Sequence, residues 1–187
     1  PNQAYGYIVG AGIGKGRIIS MDASRARAAP GVLAVITAPE TKPVGKSNWN
    51  NAPLFGGPDV AHYHQAIACV VAETFEQARA AAALIRTRYE RSKGRFDFPD
   101  LAPSAPLAKG RGGKPDRQTL GDFDTAYASA AVKLDETYHT SDESHSMMEP
   151  HATIAAWEGD TLTLWTANQM IDWARQGMAA ILGIDPE

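Results

Sequence analysis

The sequence lacks three features that define large classes of protein. It has one cysteine, Cys69, so no disulfide forms within the chain and a disulfide-built secreted domain is excluded. It contains no run of about 18 apolar residues, the length that a membrane-spanning helix requires. It also lacks a charge excess, because 18 basic and 21 acidic residues give a net charge of -3. This balance gives no electrostatic reason to expect nucleic acid or an anionic membrane as a partner.

The sequence also begins without a methionine, at Pro1, and stops shortly after a predicted helix end at Gly183. Both ends are therefore interpreted as cut, and the chain as a segment of a longer polypeptide. The 187 residues, of which 44% are hydrophobic, suffice for one or two small domains with an apolar core.

A glycine-rich stretch, residues 10–16, follows the first predicted strand and superficially resembles a phosphate-binding loop. The stretch does not match the Walker A motif, which requires Gly where this chain has Val9 and Ser or Thr where it has Gly16. The dinucleotide fingerprint also fails, because Lys15 and Arg17 occupy the positions for its third glycine. The stretch is predicted to be a turn or bulge between two strands.

The first part of the chain, residues 1–91, alternates strands and helices as a small α/β unit. The strands are predicted at 5–9, 17–21, 32–37, 65–72 and 85–90. A short helix is expected to start from a cap at Asp22 or Ser24 and to end at Ala29. A second helix is expected after Thr74, which has capping-box spacing to Gln77. Residues 43–63, which include Trp49 and Phe55, are predicted to form a long loop.

Residues 92–120 are predicted to be a linker, because proline, glycine and basic residues interrupt any periodic pattern there. Its basic residues could meet a phosphate, but a solvated loop is the favoured interpretation. From residue 121 the pattern predicts a helix capped by Asp122, a half-buried strand at 132–140, and a hairpin at 153–157 and 161–166. A last helix is predicted to be capped by Asn168 and to stop at Gly183. These elements are too few to bury a core alone, so they are expected to pack on residues 1–91, on missing chain, or on both.

The densest reactive stretch is residues 143–151, which hold two carboxylates and two imidazoles. Histidine and carboxylate are usual ligands of Zn and Fe, but the spacing matches no common ligand pattern, and Pro150 breaks the helix that would align the side chains. No metal ligand is assigned for this reason. In an extended segment, residues 145, 147, 149 and 151 would share one face. The alternative is a buried Glu149 bonded to backbone, with Met147 and Met148 as core filler.

Several motifs occur in a characteristic order. They are His145-x-x-Met148-Glu149-Pro150-His151, Trp157-Glu-Gly-Asp160, Asn168-Gln169 and Leu182-Gly183-Ile184, preceded by Gly16-Arg17-Ile18, Pro30-Gly31-Val32 and Phe75-Glu76-Gln77-Ala78. Together they resemble the large subunit of molybdenum hydroxylases, the xanthine dehydrogenase and aldehyde oxidase family, in its bacterial multi-subunit form. The resemblance covers nearly all of the chain.

The resemblance implies an α+β fold. An α/β hammerhead domain is expected at residues 1–91, a linker at 92–120, and a partial molybdopterin-binding domain at 121–187. It also implies molybdenum carried on a pterin in the cytosine dinucleotide form, with iron–sulfur clusters, with or without FAD, on partner subunits or domains. The implied activity is the hydroxylation of aldehydes or N-heterocycles with oxygen derived from water.

The resemblance places Glu143, His145, Met148 and Glu149 in the wall of the cofactor pocket. It assigns no catalytic residue, because the family's glycine-rich segment and catalytic glutamate would lie beyond Glu187. The segment alone is therefore expected to be inactive. Glu143 stands where the family often has glutamine, so its carboxyl must be protonated or paired to donate a hydrogen bond near an anionic centre.

Two alternatives to a hydroxylase segment stay open. One is a non-catalytic structural or subunit-interface module, and the weaker one is a nucleotide-binding protein that uses residues 10–16. For the hydroxylase, the expected partners are a small aldehyde or heterocycle, iron–sulfur and FAD subunits, and the remainder of the large subunit. The expected compartment is the cytoplasm, with export to the periplasm alongside a partner subunit as the alternative.

Overall fold

A computed structural model describes residues 2–42, 44, 55–106, 119–141, 143, 144 and 146–186. The chain divides into two compact units. The first consists of Pro1–Phe96 with Asn168–Glu187, and the second of Asp97–Ala167. The mixture of helices and strands confirms the predicted α+β class. Within the described ranges no helix is long and apolar enough to cross a membrane.

The first unit contains two three-stranded antiparallel sheets. Its strands are β1 (Tyr5–Gly10), β2 (Gly16–Asp22), β3 (Val32–Thr37), β4 (Asp59–Val60), β5 (Ala66–Ala72) and β6 (Arg86–Arg91). Sheet A has the order β1-β5-β3, and sheet B has the order β4-β2-β6. All five predicted strands of this unit are present, and β4 is a short addition inside the predicted loop 43–63. Trp49 lies outside the described residues.

The helices are short except for the last. They are α1 (Ser24–Arg27), α2 (Phe75–Ala82), α3 (Phe98–Leu101), α4 (Phe123–Ser129) and α5 (Ile171–Leu182), with 3-10 turns at Ala38–Glu40 and Ala102–Ser104. The capping box of α2 is confirmed, because Thr74 Oγ1 accepts from the backbone N–H of Gln77 and Gln77 Oε1 accepts from that of Thr74. The small alanines of α2 then allow it to pack closely against the β1 and β5 strands of sheet A.

Two apolar clusters form the core of the first unit. One is formed by small and branched residues around Ile13, Ile18 and Ile67, and it packs against Tyr89 of β6. The other lies beneath the helices, where Val70 of β5 meets alanines of α1 and α2. Val9 of β1 packs against both clusters, so the strand links the two parts of the core. Strand β5, which lies in the centre of sheet A, has no exposed face: four of its seven residues are buried and the other three are half-buried.

Three helix predictions need correction. Helix α1 begins after Ala23 without a side-chain cap and ends at Arg27, two residues before the predicted end. The Asp22 carboxylate instead accepts hydrogen bonds from the Ser24 backbone N–H and hydroxyl group. It therefore stabilises a local turn and does not cap the helix. Helix α5 begins after Met170 and not directly after Asn168, which was predicted to cap it. The Asn168 carboxamide accepts a hydrogen bond from the Met170 backbone N–H, two residues on, and so forms a turn before the helix. Gly183 ends α5 in the left-handed conformation, as predicted.

The second unit is dominated by exposed residues. Helix α4 is capped by Asp122 as predicted, and the hairpin is formed by β7 (Thr153–Glu158) and β8 (Thr161–Thr166). The connection between these strands is one residue shorter than predicted, because Glu158 pairs with Thr161. None of the described residues of this unit is buried.

One prediction for the second unit is wrong, and one stretch contains a helix that was not predicted. Residues 132–140 form no strand, although their alternation favours one, because no other described strand lies beside them to accept their backbone bonds. The predicted linker 92–120 contains α3, whose first turn is capped by Asp97 and includes Pro99. Proline is tolerated in the first turn of a helix, so its presence did not exclude one.

Candidate functional site

The described residues of the reactive stretch, 143, 144 and 146–151, lie just before β7 and are irregular and exposed. Of its predicted site residues, Glu143, Met148 and Glu149 are described, and all three are exposed. Met148 has a relative exposure of 101%, so its side chain contacts almost nothing in this part of the chain. His145 lies outside the described residues. Within the described part of the chain, Glu143, Met148 and Glu149 therefore do not form a closed pocket.

The backbone of this segment does not follow the extended geometry considered from the sequence. The chain bends at Met148 and Glu149, so residues 147, 149 and 151 do not continue as one strand face. Across the described ranges, no group of three or more His, Cys, Asp or Glu side chains is placed to hold a metal ion.

The packing alternative for the same residues is also not found. It required a buried Glu149 and core positions for Met147 and Met148. Glu149 is exposed instead, and 46% of Met147 is accessible to solvent. Glu149 and Met147 are therefore not part of a core within the described chain.

The polar groups of the segment are available to a ligand. Among the described residues, no hydrogen bond or ion pair engages the carboxylates of Glu143 and Glu149, and the backbone groups of 146–151 are likewise unbonded. Backbone N–H donors suit an anionic cofactor such as a pterin phosphate. The two carboxylates suit it only when protonated or paired with a cation. The segment thus fits one wall of a site for an anionic group, with Met148 as its apolar member.

The glycine-rich stretch 10–16 serves the packing of the first unit. It connects β1 of sheet A to β2 of sheet B, and two of its backbone N–H groups, those of Ala11 and Gly12, have partners in the first unit. The Ala11 N–H donates to the Gln65 carbonyl at 2.8 Å, and the Gly12 N–H faces the Tyr89 hydroxyl oxygen at 3.3 Å. A phosphate loop needs such donors to be free. The prediction of a turn between strands is confirmed for this stretch.

The perturbed carboxyl groups of the structure all have local structural causes. The pKa values of Asp22, Glu40 and Asp122 lie below their usual range because the side chains of Ser24, Thr37 and Thr125 donate hydrogen bonds to them. Each of these pairs lies at a turn or a helix start. They stabilise those turns and give no indication of acid–base chemistry.

Cys69 is also explained by its surroundings. Burial raises the pKa of this thiol, so it stays protonated as a small apolar member of β5.

Sequence analysis did not single out one feature, the loop His62-Tyr63-His64 between β4 and β5. His64 has a positive φ of 61°, and its ring lies 4.3 Å from that of Tyr63. The side of this loop that faces the core is held by Gln65, whose carboxamide accepts from the Ala61 N–H and donates to the Asp59 carbonyl. No sequence signal marks His64, since a left-handed histidine is visible only in the backbone.

Family models match almost the whole chain. Residues 1–93 match the model described as aldehyde oxidase and xanthine dehydrogenase, a/b hammerhead domain. Residues 109–187 match the molybdopterin cofactor-binding domain. The two models follow the order that the motifs of the sequence indicated.

The chain is similar to curated molybdenum subunits. It is 54% identical over its full length to the aldehyde oxidoreductase molybdenum-binding subunit PaoC of Escherichia coli, of which it spans 25%. It is 27% identical, over 98% of its length, to the nicotinate dehydrogenase large molybdopterin subunit of Eubacterium barkeri, of which it spans 45%. The chain thus spans between a quarter and a half of the length of these relatives.

Solved structures share the fold. The aldehyde oxidoreductase from Desulfovibrio gigas superposes with a TM-score of 0.76 at 22% identity, over 98% of this chain and 22% of that one. Quinoline 2-oxidoreductase from Pseudomonas putida 86 gives 0.77 at 23% identity, over 98% of this chain and 25% of that one. The chain belongs to the aldehyde oxidase and xanthine dehydrogenase family of molybdenum hydroxylases, as a hammerhead domain followed by the start of a molybdopterin cofactor-binding domain.

Proposed function

We propose that the chain is a segment of a molybdenum-dependent oxidoreductase that hydroxylates aldehydes, with N-heterocycles as the alternative substrate class. The observation that carries the proposal is the 54% identity over the whole chain to a subunit named as an aldehyde oxidoreductase. The relatives whose names indicate N-heterocycles, such as the nicotinate enzyme, are less similar at 27%. Aldehydes are therefore the favoured substrates.

The proposed division of labour follows the sequence. Residues 1–91 form the hammerhead domain, and residues 121–187 contribute to the cofactor domain. Residues 92–120 are the linker that connects the two. The bound molybdenum pterin supplies the redox chemistry. The chain's own residues 143–149 line one side of the group, where backbone N–H groups donate hydrogen bonds and Met148 excludes water.

The roles proposed for the four site residues differ. Met148 and Glu149 are adjacent and exposed where the chain bends, and we propose that they contribute an apolar and a polar group to the site. Glu143 is proposed to face the anionic group, a position in which its carboxyl group would have to be protonated or paired. His145 is proposed as a further contact on sequence grounds alone.

The finer details of the enzyme are proposed as follows. The pterin is the cytosine dinucleotide form, and electrons leave through iron–sulfur clusters, with or without FAD, on partner subunits. The remainder of the large subunit supplies the catalytic glutamate. The complex works in the cytoplasm, with export to the periplasm as the alternative.

Metal and cofactor analysis of the complete subunit, matured with its partners, tests the proposal. We expect molybdenum and pterin in near-equal amounts, together with aldehyde-dependent reduction of an artificial electron acceptor. A soluble, assembled subunit that carried neither molybdenum nor pterin would show the chain to be a structural or interface module instead. Higher kcat/KM on an N-heterocycle than on aldehydes would keep the hydroxylase and reverse the substrate preference.

A further inference from the structure

We draw no further inference here: the strongest candidate, the surface patch at the end of sheet B where residues 14–16 adjoin residues 91–96 and carry Lys15, Arg91, Lys93, Arg95 and the exposed Phe96, carries nothing because the chain spans only 25% of a 54% identical relative and nothing in the structure shows what covers the patch.

Discussion

Gly16 lies directly against the carbonyl oxygen of Glu90, so closely that a methyl group on its Cα would overlap that oxygen. The contact joins β2 to β6 at the point where the chain enters sheet B. Gly16 also has a φ of 152°, a conformation that residues with a side chain rarely adopt. The glycine content of residues 10–16 is thus explained, at this position, by a close approach between backbones.

Replacing Gly16 by alanine should therefore destabilise the first unit strongly. We expect Gly16→Ala to lower the free energy of unfolding by about 2 kcal/mol or more, from backbone strain and overlap with Glu90. Urea unfolding followed by circular dichroism measures this. Gly12→Ala is the matched control, because nothing lies within 4 Å of an added Cβ there. It should change stability by less than about 0.5 kcal/mol. Equal effects at the two positions would contradict the packing explanation.

The capping box of α2 supplies a second prediction. Thr74→Ala removes the oxygen that accepts from the Gln77 N–H, and should cost about 1 kcal/mol of stability. Thr74→Ser keeps the hydroxyl and should retain most of that stability. The measurement is the same urea unfolding experiment. Equal losses in both variants would indicate that the threonine methyl, rather than the cap, is what matters.

Glu40 should make the stability of the first unit depend on pH. Its carboxylate accepts from the Thr37 hydroxyl and from Arg27, whose Nη2 lies 2.6 Å from Oε2. The hydrogen bond from Thr37, followed by Arg27, lowers the pKa of Glu40 below its ordinary value of 4.5. A carboxyl group with a lowered folded-state pKa contributes stability above its unfolded pKa. That contribution is lost as the pH falls through the folded-state pKa.

Glu40→Gln tests this sign directly. We expect the variant to be less stable than the parent at about pH 7, and the difference to shrink as the pH falls below 4.5 and through the lowered folded-state pKa of Glu40. Urea midpoints measured across this pH range provide the comparison. Glu73→Gln is the control, because its carboxylate has no ion pair with any described residue. A difference that grew on acidification would show that the carboxylate is unfavourable in the folded state.

Local sequence signals predicted much of the first unit. Strand β3 lies at the predicted residues, because a β-branched run bounded by turn residues has one simple interpretation. The Thr74–Gln77 spacing located the start of α2, because both halves of that signal lie within one helical turn. These signals act over a few residues, so they do not depend on what the rest of the chain does.

The strand prediction at 132–140 failed because a strand depends on a pairing partner that is distant in the sequence. Alternation at 132–140 identifies which residues share a face, but a strand also needs a neighbour, and no described segment provides one. The assignment of Glu143, His145, Met148 and Glu149 to a cofactor pocket stays a prediction, because a pocket has several walls and the described residues of this stretch could form only one of them. Helix α3 was missed because Pro99 was interpreted as a break, although the first helical turn accepts proline.

Glu143 offers the sharpest test of the proposed cofactor site. We expect Glu143→Gln in the complete, matured enzyme to retain molybdenum and to change kcat by less than about threefold. The reason is that an amide donates the same hydrogen bond as a protonated carboxyl group without the possibility of ionising. Steady-state kinetics and metal analysis are measured together, with Glu158→Gln at the exposed hairpin turn as the control. Complete loss of activity with molybdenum retained would show that the position needs a carboxylate, and would replace the donor role with a charge-dependent one.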